Sequence, residues 1–179
     1  MNANHTPSYP EILLQATELR QQDQIVNVDE ETQQLVIFRL SDNTFAIPGH
    51  AVRELLPVGE IVAVPGSSPL FLGVVPVRGE IVSVLDPARL LHLLPATTSS
   101  ARNRRSRILI IQKEERNTGM LVDAVEDIRE FPKSALQTQP ATLSAELEKL
   151  CAGQLLFDNQ PTPLLDVEAF FQTLQELCT

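Results

Sequence analysis

The chain has 179 residues, of which 43% are hydrophobic and 4% aromatic, and it carries a formal charge of −9 from 14 basic and 23 acidic residues. That length allows one domain or two small subdomains on a shared core, and the acidic balance argues against nucleic-acid binding, which needs a basic surplus to neutralise phosphates. No apolar stretch approaches the ~18 residues needed to span a bilayer, and residues 1–10 lack the basic start and apolar run of a secretory signal, so the chain is expected to be cytoplasmic, with Cys151 and Cys178 as reduced thiols.

Residues 1–33 read as a polar N-terminal extension. Pro10 suits the first turn of a helix. Ile12, Leu13, Ala16 and Leu19 recur at helical spacing, which predicts a short amphipathic helix over 10–22 outside the main fold. The fold itself is expected over 34–179. Residues 35–40 form a near-continuous apolar run, Ser41-Asp42-Asn43 supplies turn chemistry, and Phe45-Ala46-Ile47 follows as the second strand of a hairpin. Further strands are predicted over 58–64, 72–77 and 80–85, with Arg78-Gly79 as a tight turn between the last two. Asp86 then reads as an N-cap and Pro87 as the first helical residue, with Leu90, Leu91 and Leu94 as the apolar face of a short helix. Residues 96–107 read as a linker with four arginines, Arg102, Arg104, Arg105 and Arg107. It is either a solvated loop or an electrostatic contact for an acidic partner.

Beyond the linker the grammar repeats. Leu35 and Ile108 start matching apolar strands 73 positions apart, and Ala51-Val52 and Ala124-Val125 share that offset. Gly73 matches Gly153 and Leu85-Asp86 matches Leu165-Asp166 at an offset of 80, which places one inserted loop within 132–150. Asp166 reads as another N-cap, followed by Val167, Phe170, Phe171, Leu174 and Leu177 as one helical stripe. Two similar halves, 34–95 and 107–179, are expected. Short strands with frequent turns favour small barrels, because closure removes exposed edges.

No catalytic constellation emerges. His5, His50 and His92 share no metal-binding spacing, and no nucleophile elbow or glycine-rich phosphate loop occurs. Asp123, Glu126, Asp127 and Glu130 are a conceivable metal site but read better as an acidic surface, and Asp86 and Asp166 are accounted for as caps. No cofactor, metal or catalytic residue is expected. What remains is a binding surface: an arginine beside a glycine, flanked by the apolar segments 72–77 and 80–82, a residue type favoured as an interface anchor.

The segments 35–38, Phe45-Ala46-Ile47, Ala51-Val52-Arg53-Glu54-Leu55, Val64-Pro65-Gly66, Leu72-Gly73, Val77-Arg78-Gly79-Glu80-Ile81 and Val84-Leu85-Asp86, continued by Gly119-Met120-Leu121-Val122-Asp123-Ala124-Val125 and Leu164-Leu165-Asp166, occur in the order seen in CheW-like domains. The chain resembles that family from Gln33 to about Leu174. The resemblance implies a mostly β fold of two five-stranded SH3-like barrels with short capping helices. It implies a non-enzymatic adaptor that couples the cytoplasmic tip of a chemoreceptor to a CheA-type histidine kinase, in chemotaxis, phototaxis or type IV pilus motility, recruited to membrane receptor arrays without inserting into the membrane. Val52, Glu54, Gly73, Arg78 and Gly79 fall where the family contacts its partners, and Glu54 and Arg78 are expected to pair. One departure stands out: the family often has Asn two residues before the arginine, and here that residue is Pro76. It keeps open a second reading, a kinase-binding regulator that competes for array positions without binding receptors.

Overall fold

The computed structural model describes residues 30–93, 104–137 and 144–177. Every described strand and helix lies in the compact unit that begins at Thr32. The predicted helix over 10–22, His5, Leu94, most of the arginine-bearing linker and Cys178 lie outside the described residues.

The described strands are β1 (Thr32–Leu40), β2 (Asn43–Pro48), β3 (Val52–Pro57), β4 (Phe71–Val77), β5 (Glu80–Leu85), β6 (Arg107–Lys113), β7 (Arg116–Val122), β8 (Ala124–Pro132), β9 (Cys151–Phe157) and β10 (Gln160–Leu165). Helices α1 (Pro87–Leu90), α2 (Ala145–Glu148) and α3 (Val167–Leu177) accompany them. They form two five-stranded sheets, ordered β8-β1-β2-β10-β9 and β3-β6-β7-β5-β4. The expected mostly β architecture of two five-stranded subdomains is what is observed.

The sheets do not coincide with the sequence halves. Moving every strand five places along the chain converts one sheet order into the other, so the two sheets have the same internal plan. Each is nevertheless mixed. Hairpin β1–β2 from the first half completes the sheet of β8, β9 and β10, and hairpin β6–β7 from the second half completes the sheet of β3, β4 and β5. The parallel contacts β2 to β10 and β5 to β7 are the seams of this exchange.

Exchange explains why two strands read as unbroken apolar runs. A strand shows alternate residues to opposite faces, so a strand buried on both faces loses its polar alternation. On β1, Val36, Phe38 and Leu40 join a central core shared with Leu109, Ile111, Met120 and Val122 of the other sheet. Leu35 and Ile37 join a separate core with Ala46, Phe131, Leu155 and Leu164. On β6, Leu109 and Ile111 face the central core, while Ile108 and Ile110 pack with Val75, Val77, Val82 and Val84.

Each sheet then curls until its two edges meet. Val62, beyond the end of β3, exchanges two 2.9 Å backbone hydrogen bonds with Val74 of β4. Gln137, beyond the end of β8, exchanges two 2.8 Å bonds with Gln154 of β9. The first closure depends on Gly73. Its φ is +142°, and a Cβ there would lie 2.2 Å from the Val62 carbonyl oxygen. The strand predicted over 58–64 is therefore not formed: apart from this one bridge the segment is a loop, with Val62 and Val64 about half exposed. Gly59 within the segment and Pro65 just beyond it disfavour a ladder there.

The helix starts are as predicted. Asp86 Oδ1 accepts from the Ala88 N–H at 3.1 Å, and Asp166 Oδ1 accepts from the N–H groups of Glu168 at 2.8 Å and Ala169 at 3.1 Å. Such caps satisfy helix donors that would otherwise be orphaned. On α3, Phe170, Phe171 and Leu174 enter the central core, whereas Leu177, counted in the predicted stripe, is exposed. The inserted loop expected within 132–150 includes α2, whose Leu147 joins the same core.

Three measurements test this architecture. Phe38→Ala should lower the free energy of unfolding in urea by about 3–5 kcal/mol, because its fully buried ring closes the shared core. Gly73→Ala should cost about 1–3 kcal/mol and expose the Val62 and Val74 amides to hydrogen exchange. Burial first, and the Asp166 carboxylate second, push the Cys151 thiol up to about 12. Since the thiolate is the reactive form, Cys151 should resist iodoacetamide at pH 8 in the folded protein and react readily in denaturant, read by mass spectrometry of its peptide.

Candidate docking site

Hairpin β4–β5 closes in the two residues Arg78-Gly79, with φ of +48° and +87°. Positive φ at both positions is the turn that matches the twist of paired strands. The corresponding turn of β9–β10 is Asp158-Asn159, with φ of +49° and +61°. Asp and Asn tolerate the left-handed region, whereas a long side chain there costs roughly 1 kcal/mol. One hairpin thus uses ordinary turn residues and its counterpart holds an arginine against local preference, the kind of strain that collects at functional sites.

The arginine is tethered at its inner end. Arg78 Nε lies 2.7 Å from Glu54 Oε1, so the expected pair is present. The Glu54 side chain is 15% exposed and that of Arg78 76%. The carboxylate is therefore part of the surface's foundation and the guanidinium projects from it. An ion pair this exposed adds little stability, about 0–1 kcal/mol; its effect is on direction.

Three residues not singled out from the sequence complete the cluster. Arg53 Nε approaches the same Glu54 oxygen at 3.6 Å, and Arg53 Nη1 donates to Glu80 Oε2 at 3.0 Å. Asn117 of β7 donates to that Glu80 oxygen at 3.5 Å. Successive strand residues should point to opposite faces, which hides an Arg53–Glu54 partnership from sequence inspection. A β-bulge removes the obstacle: Val52 pairs with Ile111 and Glu54 with Ile110, leaving Arg53 as the extra residue. Bulges re-aim side chains in this way.

The other expected site residues lie behind or beside this cluster. Gly79 is exposed and shares the turn. Val52 is half buried, packed against the central core at the start of β3. Gly73 is buried five residues before Arg78, where its role is closure around Val62. Pro76, on edge strand β4, pairs across the hairpin with Ile81, and both are exposed, Ile81 to 77%. An edge tolerates the donor that proline lacks. The turn charge is thus bordered by an apolar pair.

The acidic segment weighed as a metal site is largely β8. Asp123 Oδ2 accepts from the Ser41 N–H at 2.6 Å, Glu126 pairs with Arg39 at 3.2 Å, Asp127 with Arg129 at 3.2 Å, and Glu130 accepts from Thr32 Oγ1 at 3.1 Å. Each carboxylate has its own structural partner. Among the described residues no three His, Cys, Asp or Glu side chains group as metal ligands, and no helix is long and apolar enough to cross a membrane. His50 lines a cleft of about 530 Å³ with Ala51, Arg53, Gln112, Lys113, Glu114 and Val167, and His92 sits just past α1 at a φ of +51°.

Comparison with known proteins gives the family and the fold. The CheW-like domain model matches residues 34–175. A probable chemotaxis protein CheW from Rhizobium etli is 30% identical over 148 residues, covering 82% of this chain and 92% of the relative. Protein PilI from Pseudomonas aeruginosa is 28% identical over 116 residues, covering 65% of this chain and 63% of the relative. The crystal structure of the scaffolding protein TtCheW from Thermoanaerobacter tengcongensis has the same fold, with a TM-score of 0.67 at 18% identity over 78% of this chain and 88% of that one. The chain therefore belongs to the CheW-like domain family.

Proposed function

We propose that the chain couples a chemoreceptor to a CheA-type histidine kinase by binding both, and that the β4–β5 turn is the receptor contact. The observation that carries this reading is Arg78, held in a left-handed turn position that Asn would occupy at lower cost and tethered to Glu54 so that its outer end faces solvent. Glu54 orients it, Gly79 completes the turn, and Gly73 and Val52 hold β4 and β3 in place. Pro76 and Ile81 border the charge with apolar surface. A planar cation on a rigid apolar platform suits a helical receptor tip that offers a carboxylate among aliphatic side chains. The family's scaffolding role supports the kinase contact, in a setting of chemotaxis or related motility at a membrane receptor array.

A second reading, a regulator that binds the kinase and occupies array positions without touching receptors, is favoured by Pro76, which stands where the family often carries Asn two residues before the arginine. Receptor pull-down in the absence of kinase separates the two.

The sharpest test is Arg78→Asn. Asn suits the left-handed turn, so the variant should melt at or slightly above the wild-type temperature. Its affinity for the cytoplasmic signalling domain of a chemoreceptor from the same organism should fall about tenfold, as for loss of a directional anchor. Unchanged receptor affinity would remove the turn from the site.

A further inference from the structure

We propose that Arg53 is the positioning residue of the docking site, fixing where Arg78 points by bridging Glu54 to Glu80. This rests on the reading of Arg78 as a docking contact.

Arg78 makes one side-chain interaction among the described residues, through Nε to Glu54. Its terminal Nη donors, the pair that can grip a carboxylate end-on, are left for a partner. The direction of that grip is inherited from Glu54. A glutamate has three rotatable side-chain bonds, and one contact to an exposed arginine does not hold it. Arg53 is the second restraint. Its Nε faces the same Oε1 that receives Arg78, and its Nη1 is anchored 3.0 Å away on Glu80 Oε2. Glu80 is restrained in turn by Asn117. The order of the chain of contacts is Arg78, Glu54, Arg53, Glu80, Asn117, and it links the β4–β5 hairpin to β3 and β7. Arg53 is its middle member and the less exposed of the two arginines, at 25%.

Charge and backbone agree with this role. Two arginines and two glutamates cancel, so the cluster holds Arg78 without creating a net anionic patch that would repel an acidic partner. Arg53 reaches both carboxylates only because it is the extra residue of the bulge in β3. The corresponding bulge in the other sheet places Glu126 between residues paired to Ile37 and Phe38, and Glu126 bonds Arg39 of the neighbouring strand. There the bulged side chain ties one strand to the next. In the β3 sheet the same device has been turned toward the hairpin that carries the exposed cation. Arg53 bonds Glu80 directionally through Nη1 at 3.0 Å and attracts Glu54 through Nε at 3.6 Å, a spread of positive charge over two nitrogens that a lysine's single ammonium does not reproduce.

The test uses the full chain and four variants, Arg53→Gln, Arg53→Lys, Arg78→Lys and Arg78→Asn. The Nε–Hε NMR signal of Arg78, assigned by its loss in Arg78→Lys, reports the restraint without any partner. It should be sharp in the wild type and broadened or lost in Arg53→Gln. Affinity for the chemoreceptor signalling domain should fall about tenfold in Arg53→Gln and about threefold in Arg53→Lys, with melting temperatures near wild type. A sharp Arg78 signal in Arg53→Gln overturns the positioning role whatever the affinities. A lost signal with unchanged affinity overturns its use in docking, provided Arg78→Asn weakens binding. If Arg78→Asn leaves binding intact, the docking reading fails on its own, and the NMR signal still decides whether Arg53 orients Arg78.

Discussion

Everything in this molecule depends on burying β1 and β6 on both faces. Neither strand has a polar side to give to water, so each needs two apolar neighbours. The exchange of hairpins supplies them. One face of each strand packs inside its own curled sheet, and the other packs against the opposite sheet in a core centred on Phe38, Leu109, Ile111 and Phe170. The two sheets cannot be separated without exposing that core, which welds two small subdomains, each marginal by size, into one body.

Rigidity at the centre permits exposure at the rim. The sheets close with a single bridge each, at Val62–Val74 and Gln137–Gln154, and the first bridge requires a glycine with no Cβ at residue 73. From that closed edge, β4 runs out to a two-residue turn that carries an arginine in a left-handed conformation. Local strain of this kind persists only when its surroundings hold it. Here the holding is done by the ladder of β4 with β5 and by a string of charged groups from Glu54 through Arg53 to Glu80. Low conformational freedom before docking is what makes a directional contact count in binding.

The duplication sharpens the contrast between the two hairpin tips. Both use the same turn geometry, and both put an apolar pair near the tip, Pro76 with Ile81 in one and Leu156 with Pro161 in the other. One tip is cationic at Arg78, while the other has Asp158 and Asn159 and so meets the turn's local preference. Matching backbones with opposite side-chain choices show that the arginine is not demanded by the fold.

The sequence by itself determined the elements whose signals are local. The apolar runs at 35–38 and 108–111, the caps Asp86 and Asp166 and the turn at Arg78-Gly79 follow from periodicity, N-cap chemistry and turn preference. The offsets of 73 and 80 predicted the strand correspondence, because strand lengths are inherited together. Only the tertiary structure decided how those elements pair. The exchange of hairpins between sheets is a long-range choice with no local signature, and β3 and β8 were obscured because charged residues on an edge strand resemble a loop. Residues 58–64 misled for the opposite reason: apolar side chains suggest a strand, yet the segment meets β4 only at the Val62–Val74 bridge and builds no ladder. Arg53 shows the limit most clearly. Alternation says that it faces away from Glu54, and one extra residue in the β3 to β6 pairing turns it toward the same carboxylate. Where a side chain points in a sheet is set by register, and register is settled between strands far apart in the chain.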